Sequence, residues 1–148
     1  MHFTIKKLEP GDTELFKQLS WFYQVDDEVA EPVLPSDEYL RKLLLKDDFH
    51  VLVAVVNGQL IGGVTGFELP MYKQEINEMF LYEIAVEPEY RKMGVARALI
   101  EELKNTCREK GIKEMYVGTE TDNIPAMKLY KATGGVADEK IAWFVYKV

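Results

Sequence analysis

The chain has 148 residues, of which 47% are hydrophobic and 29% charged, and its formal net charge is −7 at pH 7. This length fits one folded domain, and the composition is that of an ordinary globular protein. An acidic chain repels nucleic acid and anionic lipid and attracts cations, so we expect neither nucleic acid nor a membrane as partner. We predict a single domain over residues 1–148.

Cysteine content and hydropathy restrict the cellular location that we expect for the protein and the kinds of site that it can contain. The single cysteine, Cys107, excludes an internal disulfide and a cysteine-based zinc site, and we expect no metal. No apolar run approaches the ~20 residues that a membrane span needs. Residues 1–8 lack the basic start and long apolar stretch of a signal peptide. A cytoplasmic location is therefore expected.

The first half of the chain predicts a short strand, two helices and a hairpin. A strand near Ile5 precedes a helix capped by Asp12, and Ser36 caps a second helix after an acidic, proline-rich loop over residues 26–35. Two β-rich runs then flank Asn57-Gly58. This dipeptide favours a two-residue hairpin turn, because both of its central positions need positive φ.

The second half alternates strands with helices. We predict a strand over Glu78–Val86, a helix after Gly94, a short strand over Met115–Val117, a helix over Pro125–Thr133 and a final strand over Ala142–Tyr146. This order predicts an α/β (α+β) fold in which helices flank a mixed sheet.

The loop between the predicted strand and the helix after Gly94 has the features of a phosphate site. The segment Arg91-Lys92-Met93-Gly94-Val95-Ala96 joins two basic residues and a glycine to a helix start. Such a turn presents unpaired backbone N–H groups and the positive end of the helix dipole. Taken alone, the segment fits a phosphate site and a simple helix cap equally well.

A second motif decides between these alternatives. The spacing Arg-x-x-Gly-x-Ala over residues 91–96 and the spacing Asn-x-x-Ala-x-x-Leu-Tyr over residues 123–130 resemble two motifs of the GNAT family of N-acetyltransferases. The resemblance implies the GNAT acyl-CoA N-acyltransferase fold, whose mixed sheet is mostly antiparallel. It also implies that acetyl-CoA serves as the cosubstrate and that an acetyl group moves to an amine.

The resemblance further assigns roles to individual residues. It places the pyrophosphate of acetyl-CoA on the loop and the pantetheine arm on the strand before it, and it makes Tyr130 the acid that protonates the departing thiolate. The implied cofactor-binding residues are Ile84, Ala85, Val86, Arg91, Lys92, Met93, Gly94, Val95, Ala96, Asn123, Ala126 and Tyr130.

Glu83 is the candidate base on the residues alone. It interrupts an apolar run over residues 79–86 that otherwise predicts a fully buried strand. A buried carboxylate costs several kcal/mol unless it is paired or functional. Three interpretations follow: an ion pair with a neighbouring cation, acceptance of a proton from the substrate ammonium, or electrostatic binding of that ammonium. Glu120 is a second candidate, and Glu78 and Asp122 are weaker ones.

The strand around Glu83 also resembles the type I aminoglycoside 3-N-acetyltransferases, together with Phe67-Glu68-Leu69-Pro70 before it. Two departures concern the acceptor. Glu83 stands where that family has aspartate, and the closing segment over residues 141–146 lacks the family's His and Asp. The resemblance makes the acidic loop a wall of the acceptor site. The predicted substrate-binding residues are Glu78, Glu120, Asp27 and Glu28.

These observations predict an acetyl-CoA-dependent N-acetyltransferase that acts on a primary amine of a small polycationic acceptor, with aminoglycosides as the favoured class. The alternatives are a protein N-terminal, lysine or polyamine acetyltransferase, and an acyl-CoA-binding protein without turnover. The partner is accordingly an amine-bearing small molecule or peptide, and the resemblance allows a homodimer.

Overall fold

The computed structural model describes all 148 residues, which form two compact units, Met1–Val117 and Gly118–Val148. We call them the sheet unit and the C-terminal unit. No helix in either unit combines the length and the apolar character that crossing a membrane requires.

The sheet unit contains five strands and three α-helices. In chain order they are β1 (Thr4–Lys7), α1 (Thr13–Asp26), α2 (Asp37–Leu44), β2 (Phe49–Val56), β3 (Gln59–Pro70), β4 (Asn77–Val86), α3 (Val95–Glu109) and β5 (Met115–Tyr116). The strand order is β1-β2-β3-β4-β5; the first four strands are antiparallel and β5 is parallel to β4. The predicted mixed, mostly antiparallel sheet with flanking helices is confirmed.

Local chemistry sets the element boundaries. Ser36 precedes α2, and its hydroxyl accepts the Tyr39 N–H at 3.2 Å, as a helix N-cap does. Asn57 and Gly58 have φ values of 51° and 79° and form the tight turn between β2 and β3. The predicted cap and the predicted hairpin are thus both confirmed.

Glycines in β3 let helices approach both faces of the sheet. A Cβ on Gly63 would lie 2.6 Å from the Leu19 side chain of α1. A Cβ on Gly66 would lie 2.9 Å from the sulfur of Met79 and 3.3 Å from Leu103 of α3. Side-chain positions alternate between the two faces of a strand, and Gly63 and Gly66 are three residues apart, so α1 and α3 cover opposite faces of the sheet.

A β-bulge in β4 determines where Glu83 points. Thr65 of β3 lies opposite Glu83, but the next residue, Gly66, lies opposite Leu81, so Tyr82 is the extra residue. Tyr82 is 63% exposed, and the expectation of a fully buried run over residues 79–86 is therefore wrong. Thr65 and Gly63 share a face of β3, so Glu83 projects toward α1.

A polar cluster around the buried Glu68 carboxylate joins β2, β3, β4 and the C-terminal end of α3. The Glu68 carboxylate contacts His50 Nε2 at 2.8 Å, Asn77 Nδ2 at 3.2 Å and the Lys110 ammonium. Burial alone raises the pKa of Glu68, but the hydrogen bonds from Lys110, His50 and Asn77 outweigh it and leave the pKa below its usual value. The carboxylate is therefore ionised and fully partnered at neutral pH.

We expect Glu68→Gln to lower the free energy of unfolding by about 2 kcal/mol at pH 7, because it removes the buried charge that accepts hydrogen bonds from His50, Asn77 and Lys110. A depressed carboxyl pKa stabilises the fold above the unfolded-state value of ~4.3 and ceases to do so as pH falls through the folded-state value. Urea unfolding should therefore show the difference from wild type shrinking at acid pH. Glu38→Gln removes an exposed partner of Lys42 and should change stability by less than ~0.5 kcal/mol. Equal effects of the two substitutions would contradict this role of Glu68.

The C-terminal unit contains one helix, α4 (Ile124–Ala132), and no strand. The predicted final strand over Ala142–Tyr146 is wrong. Its alternating apolar sequence has no second strand in this unit to pair with, and an unpaired strand leaves its backbone groups unsatisfied. Phe144 is 80% exposed and Tyr146 is 85% exposed. The predicted helix in this unit is confirmed, with boundaries shifted by one residue.

Candidate functional site

An acidic turn, Asp26-Asp27-Glu28, closes the C-terminal end of α1. Negative side chains there oppose the helix dipole, whose C-terminal end is already negative. Glu28 also adopts φ 59°, a left-handed conformation that is unfavourable for residues with a side chain. No basic residue occupies the last turn of α1 to compensate. The fold therefore concentrates negative charge at this turn at some cost in stability.

The Glu83 carboxyl lies beside this acidic turn. The Asp27 carboxyl is within hydrogen-bonding reach of it, and Asp26 adds a further negative charge. Burial is the largest influence, and together with the hydrogen bond to Asp27 and the charges of both aspartates it raises the pKa of Glu83 to about 7. A carboxyl with this pKa exchanges protons at neutral pH, which suits general acid–base chemistry.

Tyr23 and Thr65 complete the surroundings of Glu83. The Tyr23 hydroxyl donates to the backbone carbonyl oxygen of Glu83 at 3.5 Å. Burial raises the pKa of Tyr23, a hydrogen bond with Thr65 lowers it, and the charge of Glu83 raises it further. The phenol is therefore neutral, and no cation contacts the Glu83 carboxyl. The interpretation of Glu83 as half of an ion pair with Lys or Arg is wrong.

The outer edge of β4 is open beyond its first few residues. β5 pairs only with Met79 and Phe80, so the strand continues without an outer neighbour toward Val86. The Glu87 N–H bonds to the Ile61 carbonyl oxygen of β3 at 2.9 Å. Because N–H groups alternate between the two edges of a strand, those of Ile84 and Val86 point to the open edge, whereas that of Ala85 points to β3.

The loop after β4 forms a cradle of backbone donors, which we define as residues 91–96. Lys92 has φ 60° and Gly94 has φ 84°, and α3 begins directly afterwards at Val95. The first helical hydrogen bond runs from the Ala98 N–H to the Gly94 carbonyl oxygen at 3.0 Å. The N–H groups of the first helical turn before Ala98 therefore have no backbone acceptor, and no side chain caps them. A phosphate group fits this donor set.

We expect Gly94→Ala to weaken coenzyme A binding about 10-fold, because a Cβ at this φ costs roughly 1–2 kcal/mol and the loop relaxes out of the cradle conformation. Isothermal titration calorimetry with coenzyme A measures the loss. Gly58→Ala is the matched control, since it places the same strain, at φ 79°, in the β2–β3 turn. That variant should lose similar stability and keep its affinity; equal affinity losses in both would exclude the cradle as the binding site.

The basic side chain of Arg91 contacts other groups of the protein instead of adding a free cation to the cradle. Its Nε donates to the Val86 carbonyl oxygen at 2.9 Å, and its Nη2 contacts Asp26 Oδ1 at 3.1 Å. The guanidinium thus joins the end of β4 to the acidic turn. Lys92 makes no such contact and is exposed.

The C-terminal unit holds the remaining predicted residues. Asn123 caps α4, and its Oδ1 accepts the Ala126 N–H at 3.2 Å. Tyr130 lies about two helical turns after Asn123; it is half-buried, and burial raises the pKa of its phenol. Glu120 is exposed, and its backbone carbonyl accepts the Asn123 N–H at 3.0 Å. That Tyr130 and Asn123 face acetyl-CoA stays a prediction of the family resemblance.

Among the predicted acidic residues of the sheet unit, Asp27 lies next to Glu83 and Glu78 does not. Glu78 and Glu83 share a face of β4 but lie about 13 Å apart along the strand, because their partners Leu69 and Thr65 are four steps of ~3.3 Å apart on β3. Sequence reasoning placed Asp26 in the acidic loop but did not predict its effect on Glu83, and it missed the contributions of Tyr23 and Thr65. The placement of Phe22 and Tyr23 on the buried side of α1 was the one available signal, because it aims the end of the helix at the sheet.

Comparison with known proteins places the chain in a family. The sequence model of the acetyltransferase (GNAT) family matches residues 14–134. The chain belongs to the GNAT acetyltransferase family. Two aminoglycoside acetyltransferases from uncultured soil metagenomic samples share the fold, one at 31% identity and a TM-score of 0.91, the other at 28% and 0.92. The first alignment covers 100% of this GNAT chain and 99% of that protein, and the second covers 99% and 96%.

Two of the sequence relatives are named for different acceptors. The aminoglycoside N(6′)-acetyltransferase type 1 of Salmonella typhimurium is 27% identical over 119 residues, which are 76% of this chain and 82% of that enzyme. The ribosomal protein bS18-alanine N-acetyltransferase of Escherichia coli is 32% identical over 59 residues. The chain spans 40% of the length of that relative. These two relatives are acetyltransferases for two kinds of acceptor, an aminoglycoside and a protein.

Proposed function

We propose that this GNAT protein transfers an acetyl group from acetyl-CoA to a primary amine of a small polycationic acceptor, with aminoglycosides as the acceptor class. The observation that carries the proposal is the position of the Glu83 carboxyl beside the acidic turn, where burial and the two aspartates raise its pKa to about 7. The acidic turn suits an acceptor with several ammonium groups, because neighbouring carboxylates attract and orient cations. Both soil-metagenomic structural neighbours are aminoglycoside acetyltransferases, which supports the same class.

The proposed chemistry divides among three positions in the chain. Acetyl-CoA supplies the activated thioester when it is bound at the cradle and the open edge of β4. The Glu83 carboxylate accepts a proton from the acceptor ammonium, which frees the nitrogen lone pair for attack on the acetyl carbon. An outward N–H of Ile84 or Val86 donates to the oxygen on which negative charge develops. By the family resemblance, Tyr130 gives its proton to the thiolate as the carbon–sulfur bond breaks, and the second proton that the nitrogen loses on becoming an amide restores the phenol.

The protein-acceptor alternative rests on the similarity to the ribosomal protein-alanine enzymes. Coenzyme A release from acetyl-CoA tests both, with a gentamicin-class aminoglycoside, spermidine, a lysine peptide and a peptide with N-terminal alanine as acceptors. Release stimulated by the aminoglycoside alone supports the proposal. Stimulation by the alanine peptide alone would transfer it to the alternative. Coenzyme A binding without stimulation by any amine would favour an acyl-CoA-binding protein without turnover.

The single domain over residues 1–148, the homodimer and the choice of the 3-N position on an aminoglycoside stay predictions. The 3-N position rests on the resemblance of β4, whereas the Salmonella relative carries the N(6′) designation. The position of the acetyl group on an acetylated product would decide this point.

A further inference from the structure

Arg91 connects two regions that the proposed reaction uses separately. Its backbone begins the cradle, while its guanidinium contacts the Val86 carbonyl oxygen at 2.9 Å and Asp26 at 3.1 Å. The Arg91 side chain is 52% exposed and that of Asp26 39% exposed. An exposed ion pair of this kind contributes at most about 1 kcal/mol, so it rearranges at little cost when another anion competes for the cation.

Asp26 in turn acts on Glu83. The groups that face the Glu83 carboxyl are Tyr23 from α1, Thr65 from β3, and the two aspartates of the acidic turn. Tyr23 and Thr65 are neutral, so the electrostatics of Glu83 depend on the two aspartates. Arg91 is the basic residue that pairs with this turn, and it offsets Asp26 but not Asp27.

We propose that Arg91 is a positioning residue that couples the cradle to the base. It partly neutralises Asp26 in the free protein, and an anion in the cradle draws the guanidinium away, so that the full charge of Asp26 acts on Glu83. This inference rests on the proposed function only in taking the diphosphate of coenzyme A as that anion. A like charge near a carboxylate favours its protonated form. The anion therefore increases the proton affinity of Glu83, and by linkage coenzyme A binds more weakly as pH rises through neutrality.

The test is a pH titration of the Glu83 carboxyl by carbon-13 NMR, with the signal assigned from its absence in Glu83→Gln. In the free protein, Arg91→Gln should raise the titration midpoint by roughly half a unit, and Asp26→Asn should lower it by a similar amount. Adding coenzyme A should raise the midpoint in wild type and leave it unchanged in both variants. Arg97→Gln is the matched control, because it removes a cation at the start of α3 that has no contact with Asp26. In this variant, coenzyme A should still raise the titration midpoint of Glu83.

Unchanged midpoints in Arg91→Gln and Asp26→Asn, with both variants folded, would overturn the coupling. So would a coenzyme A shift that survives in Arg91→Gln. If coenzyme A perturbs no signal at all, the proposed cofactor fails instead, and the midpoints of the two free variants still decide whether Arg91 controls Asp26. The experiment needs no acceptor, so the coupling and the proposed function fail in different ways.

Discussion

Glu83→Gln is expected to lower kcat/KM for the acceptor by about 100-fold at pH 7.5, because it removes the proposed base and keeps the shape of the side chain. In wild type, kcat/KM should fall below pH 7 as the Glu83 carboxyl, whose pKa is about 7, takes up a proton. In the variant this decline should disappear, and activity should recover partly at high pH, where the amine loses its proton unaided. A pH–rate profile of both proteins measures the difference.

A loss that does not vary with pH would assign Glu83 to binding of the ammonium and remove it from proton transfer. Glu87→Gln is the control, since it removes a carboxylate just beyond the end of β4, outside the acidic turn. Its kcat/KM should stay within about 2-fold of wild type.

Glu83→Gln is also expected to change the stability of the fold. The raised pKa of Glu83 means that the folded state holds this proton more tightly than the unfolded state, so ionisation between pH ~4.3 and 7 destabilises the fold. Glu83→Gln should therefore raise the free energy of unfolding on the order of 1 kcal/mol at pH 8, and by nothing at pH 4. A folded, more stable and inactive variant would exclude misfolding as the cause of the lost activity.

Tyr130→Phe is expected to lower kcat about 100-fold while the affinity for acetyl-CoA stays within about 2-fold, because only the proton donor to the thiolate is lost. Burial raises the pKa of the phenol above its ordinary value of ~10, so Tyr130 stays protonated across the neutral range. No decline of kcat from this residue should appear below pH ~10.

Turnover under saturating acetyl-CoA and a separate binding titration measure these two quantities. Tyr72→Phe, in the exposed link between β3 and β4, provides a phenol whose loss should have no effect. Equal kcat in wild type and Tyr130→Phe would remove Tyr130 from the mechanism.

Features that depend on neighbours in sequence were predictable. The Asn57-Gly58 turn, the Ser36 cap and the glycine that opens α3 each follow from a few adjacent residues, and the structure confirms all three. The order of elements follows as well, because periodicity within a segment separates helices from strands.

Features that depend on distant contacts were not predictable. The Ala142–Tyr146 segment has the alternation of a strand, but a strand also needs a partner, which sequence periodicity does not reveal. The bulge at Tyr82 depends on the pairing of β4 with β3, and the approach of Asp27 to Glu83 depends on how α1 lies on the sheet. The sequence therefore identified Glu83 as an unusual buried carboxyl, but it did not reveal the two aspartates that lie beside it.

The most direct test of the central claim is mass spectrometry of a gentamicin-class aminoglycoside after incubation with acetyl-CoA and either wild type or Glu83→Gln. We expect wild type to form a product heavier by one acetyl group per molecule, and Glu83→Gln to form it at about 1% of that rate at pH 7.5. Coenzyme A release with no acetylated amine, or equal product from both proteins, would contradict it.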